Sequence, residues 1–161
     1  MKIFKLNILF VLLLVFACKN EKPKSVKPIK ITFEKEGELY FLKKNDTIKT
    51  IDIELVESDY EQQTGLMHRS SMEMNQGMLF VYNNERPRPT FYMKNTQIPL
   101  DLIYINADKQ IVEINKNAQP YDETPIPEEQ PAQYVLEVNA GFVDEFKIND
   151  SITIDFKTLK Q

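Results

Sequence analysis

Apolar and polar positions alternate with a period of two along most of this chain, the pattern of strands that turn one face to a core. Ile29, Ile31 and Phe33 alternate with polar neighbours, Glu34-Lys35-Glu36-Gly37 reads as a turn, and Leu39–Leu42 as a second strand. Ile51, Ile53 and Leu55, interleaved with Asp52, Glu54 and Val56, predict a longer strand with one buried face. Gly77–Tyr82 predicts another, Asn83–Thr90 with Pro87 and Pro89 a loop, and Phe91–Asn95 a strand that pairs back on the first. Leu100–Ile105 and Ile111–Asn115 flank the polar turn Asn106–Gln110, which predicts an antiparallel hairpin. Ala132–Asn139 and Ser151–Phe156 complete the strands, separated by Gly141, a helical turn around Val143–Phe146 and an Asn149-Asp150 turn.

The pattern switches to a helical period once. Ser58 with Glu61 three residues on makes a capping box, and Tyr60, Thr64 and Met67 then fall on one face, which predicts a helix from Asp59 to His68. Gly65 within it costs about 1 kcal/mol relative to alanine, so it marks the close approach of another element's backbone. Asn117–Pro131, with Pro120, Pro125, Pro127 and Pro131, shows no period, and loops of that length are commonly binding loops or mobile covers. The fold class is mainly β (α+β): a compact antiparallel barrel or sandwich with one packed α-helix.

A different pattern opens the chain. Lys2 and Lys5 precede the apolar run Ile8–Phe16, then small Ala17 and Cys18. The run is too short to span a hydrocarbon core, which needs about 20 apolar residues. It reads as a signal peptide over residues 1–17. Val15-Phe16-Ala17-Cys18 resembles a lipobox, in which cleavage precedes the cysteine and the cysteine carries lipid; Phe16 is bulkier than the usual residue there. Cys18 is the only cysteine, so it forms no internal disulfide, and lipidation consumes a thiol that would be reactive in an oxidising compartment.

Residues 18–30 then form a basic tether, with Lys19, Lys22, Lys24, Lys27 and Lys30 around Pro23 and Pro28, leaving 31–161 as one domain. The formal net charge is −4, and removal of residues 1–17 takes Lys2 and Lys5 and no acid, which leaves −6. Such a body does not suit nucleic acid, whose phosphates need a basic surface.

Short blocks add a resemblance. Thr64-Gly65-Leu66-Met67, Gly77-Met78-Leu79-Phe80, Phe91-Tyr92-Met93-Lys94-Asn95-Thr96, Ile98-Pro99-Leu100-Asp101 and Leu136-Glu137 occur in an order and at distances that resemble the domain of unknown function 192 family, over about residues 50–155. The resemblance implies a mostly β domain with one helix, often secreted or lipid-anchored, with no agreed activity. Tyr92 stands where the family usually has tryptophan, and Asn149-Asp150 where it has a Gly-Asp turn.

Three kinds of chemistry are open to these residues. Lys94, Asn95 and Thr96 offer an ammonium, an amide and a hydroxyl, and Asp101 follows across a short connection; converging, they would bind a small polar ligand. In the plainer alternative, Asp101 caps a turn and pairs with Lys94 while Asn95 satisfies backbone groups. A hydrolase using Lys94 and Asp101 is a weaker reading, since no recognisable nucleophile setting or carboxylate pair accompanies them. Met67, His68, Met72 and Met74 form a soft-ligand set suited to Cu(I), although methionine is also a common core filler.

The expectation is a non-catalytic binding or accessory module of the cell envelope, anchored through lipid on the periplasmic face of a bacterial membrane. Its partners would be that membrane and a small polar ligand or an envelope protein. No cofactor motif is read.

Overall fold

The computed structural model describes residues 31–44 and 46–159; the signal peptide, Cys18, the tether and Ile29 lie outside them. The described chain forms β1 (Gly37–Lys43), β2 (Asp46–Val56), α1 (Asp59–Thr64), β3 (Gln76–Arg86), β4 (Leu100–Ile105), β5 (Ile111–Ala118), β6 (Ala132–Asn139), α2 (Phe142–Glu145) and β7 (Ile152–Thr158). The strands make one mainly antiparallel sheet in the order β5-β4-β6-β3-β2-β1-β7. The sheet curls into a half-barrel, and its two edge strands approach at one end, where Gln110 bridges Thr153 and the Ile154 N–H donates to the Lys109 carbonyl at 2.9 Å. The mainly β class with packed helix is therefore observed, with two short helices instead of one.

One pair departs from the antiparallel expectation. β2 and β3 run parallel, Asp52 opposite Gln76 and Val56 opposite Phe80. A parallel neighbour requires a crossover of a dozen or more residues, and the stretch that carries α1 provides it. The crossover lies over one face of the sheet, so both faces are covered. Leu39, Phe41, Ile53, Leu79, Ile103, Leu136, Ile154 and their neighbours fill the inside of the curl, with Phe142 and Val143 of α2 packed among them. Val56, Met78, Phe80, Leu102, Tyr104 and Val135 form a second cluster on the other face, under Leu66, Met93 and Ile98.

This two-sided cover explains where strict alternation fails. All six residues of β4 are buried. Glu54, expected on a wet face of β2, is buried beneath the crossover and held by Arg69, whose Nη2 lies 2.7 Å from Oε1 and 2.5 Å from Oε2. Residues 31–36 are not a strand; the Glu34 N–H donates to Glu54 at 2.8 Å and the Glu36 N–H to the Ile53 carbonyl at 2.9 Å. At the other end of the domain the Leu159 N–H donates to the Glu36 carbonyl at 2.7 Å.

The capping box at Ser58 and Glu61 forms as expected, but the helix stops at Thr64. Gly65 ends it at φ 42°, its N–H donating to the Glu61 carbonyl at 2.8 Å, so Tyr60 is 76% exposed and the predicted apolar face is not buried. Phe91–Asn95 is not a strand either. Only Phe91 bridges, to Ile126, and the chain turns at Asn95 with φ 56°.

Candidate functional site

The second face of the sheet carries a cavity of about 330 Å³. Its sheet side is built by alternation: Phe80 and Tyr82 of β3 face the same way, and Glu137 of β6 stands on the neighbouring strand, opposite Met78. One wall is the end of α1 and the turn after it, including Gly65, Leu66 and Met67; the other is Pro89–Tyr92 with Thr96.

Backbone bonds fix the second wall. The Ile126 N–H donates to the Phe91 carbonyl at 2.9 Å, the Met93 N–H to the Asp122 carbonyl at 2.7 Å, and the Tyr121 N–H to the Thr96 carbonyl at 3.1 Å. The His68 N–H reaches the Asn95 carbonyl at 2.8 Å and ties the two walls together. The proline-rich loop after β5 thus buttresses the wall and contributes no residue to the cavity lining. Phe91 stands edge-on to Phe80, ring centroids 5.2 Å apart.

Glu137 is the unusual member. It is 7% exposed, and its Oε2 is buried with no hydrogen-bond partner. Burial pushes its carboxyl up to about 8, because a charge here has lost its water and gained no counter-charge. Asp59 also lines the cavity, and no lysine or arginine does. Burial likewise pushes the Tyr82 hydroxyl up to about 12. An acid that keeps its proton at neutral pH both donates and accepts hydrogen bonds, and it ionises readily for a cation.

Gly65 keeps this site open. A Cβ there would stand 3.1 Å from Cζ of Phe80 and 3.7 Å from Oε2 of Glu137, so a phenylalanine ring and a carboxylate are its neighbours, not the passing backbone the sequence suggested. Its φ of 42° with ψ of −128° also belongs to glycine. Gly65→Ala is expected to cost about 2 kcal/mol in urea unfolding, from backbone strain together with the displaced ring.

The four candidate polar residues are not brought to one place. Thr96 is buried and lines the cavity. Lys94 is exposed, its ammonium 4.0 Å from Glu123, and Asn95 is an exposed turn residue. Asp101 is 0% exposed and filled by backbone: Oδ1 accepts from Asn117 N–H at 2.9 Å, and Oδ2 from Gly141 at 3.0 Å and Val143 at 3.1 Å. It clamps β5 and the start of α2, whose own cap, Gly141, has no side chain to give. A Lys94/Asp101 pair for hydrolysis is not assembled.

The sulfur set is also divided. Met67 lines the cavity, Met72 packs against the outer cluster, and Met74 and His68 are exposed. Among the described residues no group of three or more His, Cys, Asp and Glu side chains is placed to hold a metal ion.

Glu137 was missed as a site residue, although its signal is visible: one charge inside the apolar run Val135-Leu136-Glu137-Val138. A strand whose neighbours on both sides are buried has no wet face for it.

A mainly β half-barrel with one acid-floored cavity on its covered outer face is the class that fold and site define. The chain belongs to the DUF192 family, described as uncharacterized ACR, which matches over residues 40–156. No curated protein matches it. Among solved structures it is similar to a Sinorhizobium meliloti 1021 protein provisionally named a transcription regulator, with TM-score 0.72 and 31% identity, covering 79% of this chain and 97% of that one. It is also similar to a Novosphingobium aromaticivorans DSM 12444 protein of unknown function, with TM-score 0.68 and 34% identity over 73% of this chain and 83% of that one.

Proposed function

We propose that this chain is a cell-envelope lipoprotein whose domain is a non-catalytic binding module, taking a small ligand into the cavity over Glu137. The observation that carries the binding half is the unpartnered, buried carboxyl of Glu137 beside an apolar-walled space of about 330 Å³. The lipobox-like Val15-Phe16-Ala17-Cys18 supports the anchor. The regulator name of the Sinorhizobium relative is not carried over, because a chain of formal charge −4 does not favour phosphate backbones.

Two measurements test the two halves. Cells fed labelled palmitate should label the wild type and leave Cys18→Ser unlabelled and free of the membrane pellet; equal labelling of both would remove the anchor. A mixed fragment set should shift amide resonances of Leu66, Phe80, Thr96 and Glu137 first. Shifts scattered over the surface, with none at those residues, would remove the binding module.

A further inference from the structure

We propose that the ligand is a small organic ammonium ion, an amine on a short apolar body, whose N–H donors bind the carboxylate of Glu137. This rests on the cavity being the binding site. A buried carboxyl oxygen without a hydrogen-bond partner selects for ligands that bring one. Neutral donors and cations both qualify, and the lining decides between them. The lining has Asp59 and Glu137 and no lysine or arginine, so an anion would find no counter-charge there, whereas a cation gains one when Glu137 ionises. Phe80, Tyr82, Phe91 and Tyr92 surround the same space, and aromatic faces attract cations that have shed water. An N–H donor on a positive nitrogen also makes the stronger bond to a carboxylate.

Binding then moves one proton. The empty site holds Glu137 as the acid; the ammonium keeps its own protons, and the proton of Glu137 leaves for solvent. The surroundings do not compete for this step. Tyr82, pushed up to about 12, and Tyr104, also raised by burial, stay neutral below pH 9. Arg88 lies over the Tyr82 ring at 4.2 Å and stays charged. Glu128 acts on both tyrosines, Glu113 on Tyr104 and Arg86 on Tyr82, and Asp59 faces the cavity from α1.

The test uses full-length protein in detergent, with micelles alone as blank, and three probes of one shape: benzylammonium, benzyl alcohol and benzoate. Calorimetry should find benzylammonium bound about tenfold or more tightly than either other probe. At pH 6.5 it should release close to one proton, and its affinity should rise about tenfold per pH unit until Glu137 is ionised. Glu137→Gln should lose both the preference and the proton release. Benzyl alcohol or benzoate binding as well as benzylammonium would overturn the ammonium inference and leave the cavity standing. Glu137→Gln retaining the proton release would also overturn it. If none of the three shifts the amides of Leu66, Phe80 or Thr96, the cavity reading falls and takes the inference with it.

Discussion

Glu137→Gln is expected to stabilise the domain by roughly 4 kcal/mol at pH 9 and by almost nothing at pH 4. The carboxyl's ordinary value is 4.5, and burial lifts it to about 8 in the folded chain. Below 4.5 both states carry the proton, so its titration leaves stability unchanged. Between 4.5 and 8 the unfolded chain releases the proton while the folded chain retains it, so stability falls as pH rises. Above 8 the folded chain carries the buried charge and the loss is complete. Glutamine has nearly the same shape and no proton to lose, which removes this slope. Urea unfolding of both proteins at pH 4, 6.5 and 9 checks it. Parallel pH profiles would mean that water or an unseen donor already satisfies Oε2.

Asp101→Ala should cost roughly 3 kcal/mol at neutral pH. Three backbone N–H groups lose their acceptor at once. They are not equal: Asn117 and Gly141 lie at exposed positions where water can replace the carboxylate, whereas Val143 is buried and its N–H is left bare. The damage spreads because Phe142 and Val143 pack inside the curl, and the Asp101 bonds stand at the start of α2 where a side-chain cap is missing. Asp101→Asn keeps one acceptor oxygen and should lose about half as much, since its amide would face the remaining donor. The urea midpoints of the two variants give the order; an alanine variant as stable as wild type would show that α2 needs no clamp.

How much of this was legible in the residues depended on whether a signal was local. The β4–β5 hairpin follows from its polar turn, β6 from its apolar run, and the start of α1 from the Ser58/Glu61 box. Each is decided within a few residues. The end of α1 is not, because Gly65 is tolerated inside helices and stops this one at a positive φ with the Phe80 ring beside it. Phe91–Asn95 looks like a strand, yet its hydrogen bonds go to the loop after β5, far along the chain.

The site was harder still. Period-two reading assumes one wet face per strand, and here the parallel crossover covers the second face. That burial places Glu54 with Arg69 and leaves Glu137 alone, and no local pattern distinguishes those two glutamates. Lys94, Asn95, Thr96 and Asp101 drew attention by being close in sequence; the turn at Asn95 and the clamp at Asp101 send their side chains to different tasks.

β1 and β7 are neighbours in the sheet, and the bond from Leu159 to Glu36 brings the domain's entry and exit side by side. In connectivity the body is a ring with one cut in it. Joining residue 159 to residue 36 through a few added residues would leave every strand pairing intact, so the place where synthesis begins is separable from the architecture it produces, and circular permutants are open to this scaffold.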